Sequence, residues 1–228
     1  MEILECKKID TENHSNILFI RIEPGDISIT LRNIIDALSD LSWISKFDKK
    51  YIRDSFTKRA AESVSYLSKK IIGNDNDEIT KNSGEYVVSE LAREALVSKL
   101  NYLDIPLAEI FKEQVAGNPG FDFYSCTKEK IIVFGEAKYN SKQNAYGIGM
   151  EQVNRFITEE QDISDLNDID KFFEESSLEK ASKGDKAYAV AFASKKTRSE
   201  IIISGIIKNK YYCNLASHRE VIFLAVNI

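Results

Sequence analysis

The chain has 228 residues, of which 43% are apolar and 29% charged, so it can bury a sizeable core as one large domain or as a core with an appended subdomain. It has no long apolar run, and its first residues lack the layout of a signal peptide, which argues against a membrane-spanning or secreted protein. Three widely spaced cysteines argue against a disulfide framework or a paired-cysteine zinc site. We therefore expect a globular cytoplasmic protein with no membrane partner.

The net charge of −5 weighs against a nucleic-acid partner, because binding to phosphates favours basic surfaces. The charge is uneven, however: residues 159–180 hold nine acids and two lysines, which leaves the rest of the chain at +2. The pattern favours an acidic helical insertion around residues 159–182 with a solvated face. A surface that repels nucleic acid and a docking site for a basic partner are the alternatives.

The first hundred residues predict one strand and three helices. The strand is a β-rich run that ends at a Pro-Gly pair, and each helix has apolar residues at helical spacing. Residues 73–81 are polar and predict a boundary between an N-terminal strand and helical cap, residues 1–80, and a core domain, residues 81–228. The strand covers residues 16–23, and the helices cover residues 26–39, 50–72 and 83–100.

The third of these helices carries acids that are candidates for function. Its cap is predicted at Asn82 or Ser83. At 100° per residue, Glu85 falls within the apolar stripe, whereas Glu90 falls outside it. A carboxylate turned toward a core needs a partner, so Glu85 is the stronger candidate. A first-turn acid favoured by the helix dipole is the competing interpretation of Glu85.

Two β-rich stretches after this helix predict a hairpin whose turn is centred on Glu129. Residues at equal distances from the turn lie opposite each other, so Asp122 faces Glu136 and both side chains project from one face of the sheet. Because side chains alternate along a strand, Lys138 shares that face. The two strands are predicted over residues 121–126 and 131–139.

Two carboxylates and a lysine on one face support metal-dependent chemistry. Neighbouring carboxylates repel each other unless a cation lies between them, and hard oxygen ligands suit Mg²⁺ or Mn²⁺. The lysine is held charged, where it can orient an attacking water or stabilise charge in a transition state. These parts fit phosphodiester hydrolysis, whereas a glycosidase would need neither the lysine nor a metal. The Glu-x-Lys spacing alone carries no weight, because Glu5-Cys6-Lys7 also has it.

The second half of the chain predicts the remaining layers of an α/β fold. A helix is predicted over residues 145–158, directly after the hairpin. Apolar runs over residues 187–194 and 219–227 predict strands that extend the sheet, and residues 201–207 are a third candidate strand.

The order of these features resembles the PD-(D/E)XK nuclease superfamily, with a Phe in place of the family's Pro before Asp122. The resemblance implies a restriction-endonuclease-like core, a mixed central sheet flanked by helices in the order αβββαβ. It implies that Glu85, Asp122, Glu136 and Lys138 are catalytic and that the substrate is DNA. It also implies that Mg²⁺ or Mn²⁺ is bound by Asp122, Glu136 and the backbone carbonyl of Ala137.

Two further residues are candidates because of this resemblance. In many members a glutamine on the helix after the motif strand supports the site or contacts DNA, and Gln152 is placed to do so. A surface glutamine is the competing interpretation. Glu90 is the other upstream acid that could take the position of Glu85, and it is kept as a supporting candidate.

Residues 84–154 also resemble the HamA nuclease subunit of Hachiman antiphage defence. This narrower resemblance implies that the chain is the effector subunit of a bacterial defence complex and works with a superfamily 2 helicase, a HamB-like partner. A non-catalytic interaction subunit of a nucleic-acid-processing complex is the alternative. The intact set of acids and lysine favours the nuclease.

Overall fold

The computed structural model describes residues 1–11, 14–72, 81–112 and 120–228. Within these ranges, strands form one sheet and α-helices cover both of its faces, with 3-10 helices at Ser42–Lys46 and Asp170–Phe172. The strands are β1 (Glu2–Thr11), β2 (His14–Glu23), β3 (Phe123–Cys126), β4 (Ile132–Lys138), β5 (Ala187–Ser194) and β6 (Glu220–Asn227). The helices are α1 (Ile27–Ser39), α2 (Lys50–Ile72), α3 (Lys81–Leu100), α4 (Ala108–Phe111), α5 (Tyr146–Thr158), α6 (Gln161–Ile169), α7 (Glu175–Ser182), α8 (Ser199–Ile207) and α9 (Tyr212–Ala216).

The sheet is mixed, with the strand order β1-β2-β6-β5-β4-β3. The four central strands are parallel, and the edge strands β1 and β3 are antiparallel to their neighbours. Central parallel strands are covered on both faces, which explains the continuous apolar runs of β5 and β6. The predicted α/β class with a mixed sheet flanked by helices is therefore confirmed.

The N-terminal strands belong to this same sheet, because β2 pairs with β6. Between α3 and α5 the described residues form two strands, β3 and β4, where the αβββαβ order has three. The strands β1 and β2 lengthen the sheet at its far edge instead. The predicted boundary at residues 73–81 lies outside the described residues, except for Lys81, which begins α3.

The candidate strand at residues 201–207 is wrong, because these residues form most of α8. Its apolar run is long enough for a strand, but the buried isoleucines, Ile202 and Ile206, are four residues apart, which is helical spacing. Ile201 is 52% exposed. The other predicted strands and helices lie within two residues of the observed bounds. No helix in the described ranges is long and apolar enough to cross a membrane.

The start of α3 and the faces of its acids also differ from prediction. The helix begins at Lys81, so Asn82 and Ser83 lie in its first turn and not at its cap. Glu85, predicted to face the core, has a side chain that is 49% exposed, whereas Glu90, predicted to face away, is 3% exposed. The reason is that α3 packs against the sheet on one side and against α1 and α2 on the other. The helical cap thus buries a side of α3 that the apolar stripe does not include.

The acidic insertion is helical as predicted, but its acids are not all solvated. Asp162 and Asp165 on α6 are both 2% exposed. Asp162 accepts a hydrogen bond from Tyr188 Oη and lies 2.6 Å from the Nζ atom of the buried Lys186. A buried carboxylate is stable when it is paired in this way, so part of the insertion is a structural element that packs on the sheet.

Candidate active site

The hairpin has the predicted register. β3 and β4 pair about a turn centred on Glu129, with Phe123 opposite Gly135. Asp122 directly precedes β3, and its backbone N–H donates to the carbonyl of Gly135 at 2.9 Å. This places Asp122 beside the end of β4 that carries Glu136. The carboxyl ends of parallel strands are the usual position of ligand sites in α/β sheets.

Helices on opposite faces of the sheet hold the end of β4. The ring of Tyr139 occupies the space that a side chain on Gly84 would fill, so the start of α3 lies directly against it. On the other face, a Cβ on Gly149 of α5 would lie 2.7 Å from Val190 Cγ1 and 3.8 Å from Lys138 Cγ. The aliphatic part of Lys138 is therefore close to α5, and Lys138 is the last residue of β4, at the carboxyl end of the strand.

Lys138 lies at the centre of the charged groups. Its Nζ atom is 2.7 Å from Glu136 Oε1 and 3.6 Å from Glu85 Oε1. Burial lowers the pKa of Lys138, but the charges of Glu136 and Asp122 outweigh burial and raise that pKa above its usual value. The lysine is therefore protonated at neutral pH and forms a strong charge-assisted contact with Glu136.

The two carboxyl groups are both harder to ionise than usual. Glu136 is 2% exposed, and burial together with the charge of Asp122 raises its pKa well above its ordinary value, against the opposing effect of Lys138. Burial raises the pKa of the half-buried Asp122 to about 6, although Lys138 and a hydrogen bond from the Ala137 N–H oppose the rise. That hydrogen bond measures 2.8 Å to Asp122 Oδ2. Ionising both acids without a further cation is thus costly.

The donor set fits a hard divalent cation. Glu136 Oε2 is buried and has no hydrogen-bond partner in the described part of the chain, so a cation would satisfy it. No group of three or more His, Cys, Asp or Glu residues in the described ranges is placed to hold a metal ion. Mg²⁺ needs only one or two carboxylates, because it keeps several waters. Asp122 and Glu136 therefore suit Mg²⁺ or Mn²⁺, and the carbonyl of Ala137, the residue that follows Glu136, stays the predicted third donor.

Glu90 does not belong to this group. It accepts hydrogen bonds from Arg93 Nη2 at 2.6 Å and from Arg93 Nε at 2.9 Å on the side of α3 that faces the helical cap. Burial raises the pKa of Glu90 even though Arg93 opposes the rise. Its interactions are those of a buried structural pair, and the structure does not bring it to Lys138.

Gln152 lies on α5, one turn after Gly149. It is half-buried, and residues three apart on a helix share a side, so it lies along the side of α5 that contacts Lys138. This position is next to the charged cluster without being part of it.

Two residues beside the cluster were missed from the sequence. Tyr86 follows Glu85 on α3 and is half-buried, and its pKa is raised by burial and then by the charges of Glu109, Tyr66 and Asp122. Glu109 on α4 also raises the pKa of Asp122. The sequence held no clear signal for Glu109, because the residues around α4 have no decisive periodicity.

The arrangement as a whole is a protonated lysine next to two carboxyl groups that a cation would stabilise, with Glu85 at the exposed side. Such a cluster can hold a divalent cation and present an ammonium group to an anionic substrate. No family model matches the chain, and comparison with curated proteins and with solved structures gives no significant match.

Proposed function

We propose that this chain is a divalent-metal-dependent nuclease that hydrolyses phosphodiester bonds in DNA. The observation that carries the proposal is the pair of the buried Glu136 and the half-buried Lys138, with Asp122 beside it, at the carboxyl end of β4. A purely structural ion pair would be complete with one acid and one base. A second acid with a raised pKa, and a carboxylate oxygen without a hydrogen-bond partner among the described residues, are costs that a bound cation would remove.

Each residue then has a role that follows from its position. Asp122 and Glu136 would hold the cation, with the Ala137 carbonyl as the further ligand. When bound, Mg²⁺ supplies a Lewis acid and lowers the pKa of a water nucleophile. Lys138 stays protonated, so it would stabilise negative charge on the phosphate and help to orient the attacking water. Glu85 contacts the same ammonium group and would restrain it.

The substrate would approach from the side where Glu85 is exposed. Asp122 and Lys138 are only partly covered there, and Tyr86, which follows Glu85 on α3, is near Asp122. The half-buried Gln152 would support the substrate from α5. DNA, in preference to RNA, is proposed on the resemblance to the superfamily.

A partner would account for how an acidic protein reaches DNA. A chain with a net charge of −5 gains little from neutralising phosphates, so a helicase that delivers the strand would supply the missing affinity. On the resemblance to HamA, we propose that this partner is a superfamily 2 helicase and that the complex acts in bacterial antiphage defence.

The test is cleavage of supercoiled plasmid, linear duplex, single-stranded DNA and RNA in Mg²⁺ or Mn²⁺, with and without a superfamily 2 helicase of the proposed kind. The variant Glu136→Gln with Lys138→Met keeps side-chain volume and removes the charges. A matched control exists in the chain, because Glu5 and Lys7 have the same spacing and a 3.1 Å contact on β1, away from β4. Glu5→Gln with Lys7→Met should leave cleavage unchanged.

The expected result is metal-dependent DNA cleavage by the wild type and a loss of at least about 100-fold in the Glu136→Gln, Lys138→Met variant, as for removal of groups that stabilise a transition state. If the wild type cuts no substrate in either metal with or without the helicase, the chain is better described as a non-catalytic interaction subunit. Cleavage that survives in the double variant would assign the activity to other residues.

A further inference from the structure

Asp165, on α6 of the acidic insertion, is buried among hydrogen-bond donors from α4, from the start of β3 and from α6 itself. Its Oδ2 atom accepts from the backbone N–H of Phe121 at 3.1 Å and from Tyr124 Oη at 2.5 Å. Its Oδ1 atom lies 2.8 Å from Lys112 Nζ and 3.0 Å from Gln161 Nε2. A surface acid of a solvated helix would not have this set of contacts, so Asp165 has a specific function within the fold.

The first two contacts lead directly to the candidate metal ligand. Phe121 directly precedes Asp122, and Tyr124 is the second residue of β3. By accepting from both, Asp165 fixes the entry of the chain into β3 on either side of Asp122. The Phe121 N–H is therefore bound to α6, while the Asp122 N–H is bound to Gly135 of β4.

The contact with Lys112 leads to the same ligand by a second route. Lys112 is the C-cap of α4, and the first residue of that helix, Ala108, donates its N–H to the carbonyl of Asp122 at 3.0 Å. Gly120 makes this arrangement possible, since a Cβ there would lie 2.7 Å from Lys112 Nζ and 3.3 Å from Asp165 Oδ1. Asp165 thus connects α6, α4 and the start of β3 around Asp122.

Neighbouring acids of the insertion do not share this role. Asp168, one turn further along α6, is 43% exposed and lies 3.9 Å from the same Lys112 Nζ. Asp162 pairs with Lys186 and Tyr188 and not with the hairpin. Groups that orient a metal ligand commonly change metal affinity or activity by about 10- to 100-fold when they are removed.

We propose that Asp165 is a positioning residue for the metal-binding carboxylate of Asp122, so that the acidic insertion is part of the active-site framework. This inference rests on the proposed function, since it presupposes that Asp122 binds a divalent cation. It goes beyond that proposal, because it assigns a role to a segment outside the nuclease motif.

The test compares two variants that differ only in the acceptor offered to Phe121 and Tyr124. Asp165→Asn with Lys112→Met removes the ion pair but keeps an oxygen at the Oδ2 position. Asp165→Leu with Lys112→Met removes the acceptor as well, and apolar replacement of a buried ion pair commonly leaves a fold intact. Folding is checked by circular dichroism, and Mn²⁺ affinity of the folded protein is measured by electron paramagnetic resonance of free Mn²⁺.

The expected result is Mn²⁺ binding within about threefold of wild type for the asparagine variant, because the acceptor for Phe121 and Tyr124 is kept and the Ala108 N–H still donates to the Asp122 carbonyl. Binding should be about 10- to 100-fold weaker for the leucine variant. Asp168→Asn is the control and should match wild type. Asp165→Glu retains the charge but displaces the carboxylate, so it should also weaken Mn²⁺ binding. This variant provides the test if the leucine variant does not fold.

The inference is overturned if the wild type binds Mn²⁺ and the folded leucine and glutamate variants bind it equally well. Asp165 would then contribute stability alone. A wild type that binds no Mn²⁺, or that binds it no better than Glu136→Gln, overturns the proposed function itself and this inference with it. The two failures are therefore distinguishable in one set of titrations.

Discussion

The ring of Tyr139 lies in the space that a side chain on Gly84 would occupy. This contact joins the first turn of α3 to the residue that follows β4, and it brings Glu85 to 3.6 Å from Lys138 Nζ. The glycine is thus required by close packing at the site and not by its backbone conformation. This contact determines how an added methyl group at Gly84 should change the stability of the protein.

Gly84→Ala should destabilise the protein, although glycine to alanine within a helix usually stabilises by about 0.5–1 kcal/mol. The added methyl group forces the Tyr139 ring or α3 to move, and overpacking of this kind costs about 1–3 kcal/mol. Gly147→Ala on α5 is the matched control, because its Cβ would approach only Asn209 Nδ2, at 3.7 Å. Urea unfolding of both variants measures the difference, and equal stabilities would contradict the packing argument.

Metal binding should weaken as the pH falls below about 6. The pKa of Asp122 is raised to about 6 by burial, and burial also raises that of Glu136, so at pH 5 both carboxyl groups hold protons that Mn²⁺ must displace. Mn²⁺ titrations at pH 5 and pH 7.5 should differ by about tenfold or more, since a unit of pKa is a factor of ten. An affinity independent of pH across this range would show that neither acid is a ligand.

Asp122→Asn should stabilise the metal-free protein at pH 7.5. Because the folded pKa of Asp122, about 6, is above its usual 3.8, the folded state binds the extra proton, and this contribution to stability is lost as the pH rises through about 6. The asparagine oxygen can still accept the Ala137 N–H, so the free energy of unfolding should increase by about 1–3 kcal/mol. The gain should vanish near pH 4, where the wild type is protonated. The exposed Asp54, changed to Asn, should give no comparable gain.

The hairpin could be predicted because its determinants are close together in the sequence. A turn centred on Glu129 and strict alternation fix which residues oppose each other, and the observed pairing of Phe123 with Gly135 follows that register. The α/β class was predictable for the same reason, since apolar runs such as β5 and β6 indicate parallel strands covered on both faces.

Features that depend on distant packing could not be predicted. The burial of Glu90 depends on α1 and α2 covering α3, which the periodicity of α3 does not record. In the sequence, nothing distinguishes Asp165 from the other acids of a charged run. Its contact with Phe121 joins residues that are 44 positions apart. The exposure of Glu85 has the same origin as the burial of Glu90, because a helix packed on two sides has no single apolar stripe.

Glu90 and Arg93 form an ion pair on α3, and the loss of this pair should lower stability without changing activity. Glu90 is 3% exposed, and Arg93 makes two hydrogen bonds to it, so Arg93→Met leaves a buried carboxylate without a partner. Loss of one member of a buried pair costs about 3–5 kcal/mol, and the partly exposed Arg93 places the expected loss at the lower end. Chemical denaturation measures this loss.

Glu90→Gln combined with Arg93→Met should recover most of the lost stability, since the uncompensated charge is gone. Cleavage per folded molecule should be unchanged in both variants, because Glu90 lies on the side of α3 away from Lys138. Glu85→Gln is the matched comparison on the same helix: it should leave stability nearly unchanged, as its side chain is 49% exposed, and lower the cleavage rate. A cleavage defect in the folded Glu90→Gln, Arg93→Met protein would instead return Glu90 to the active site.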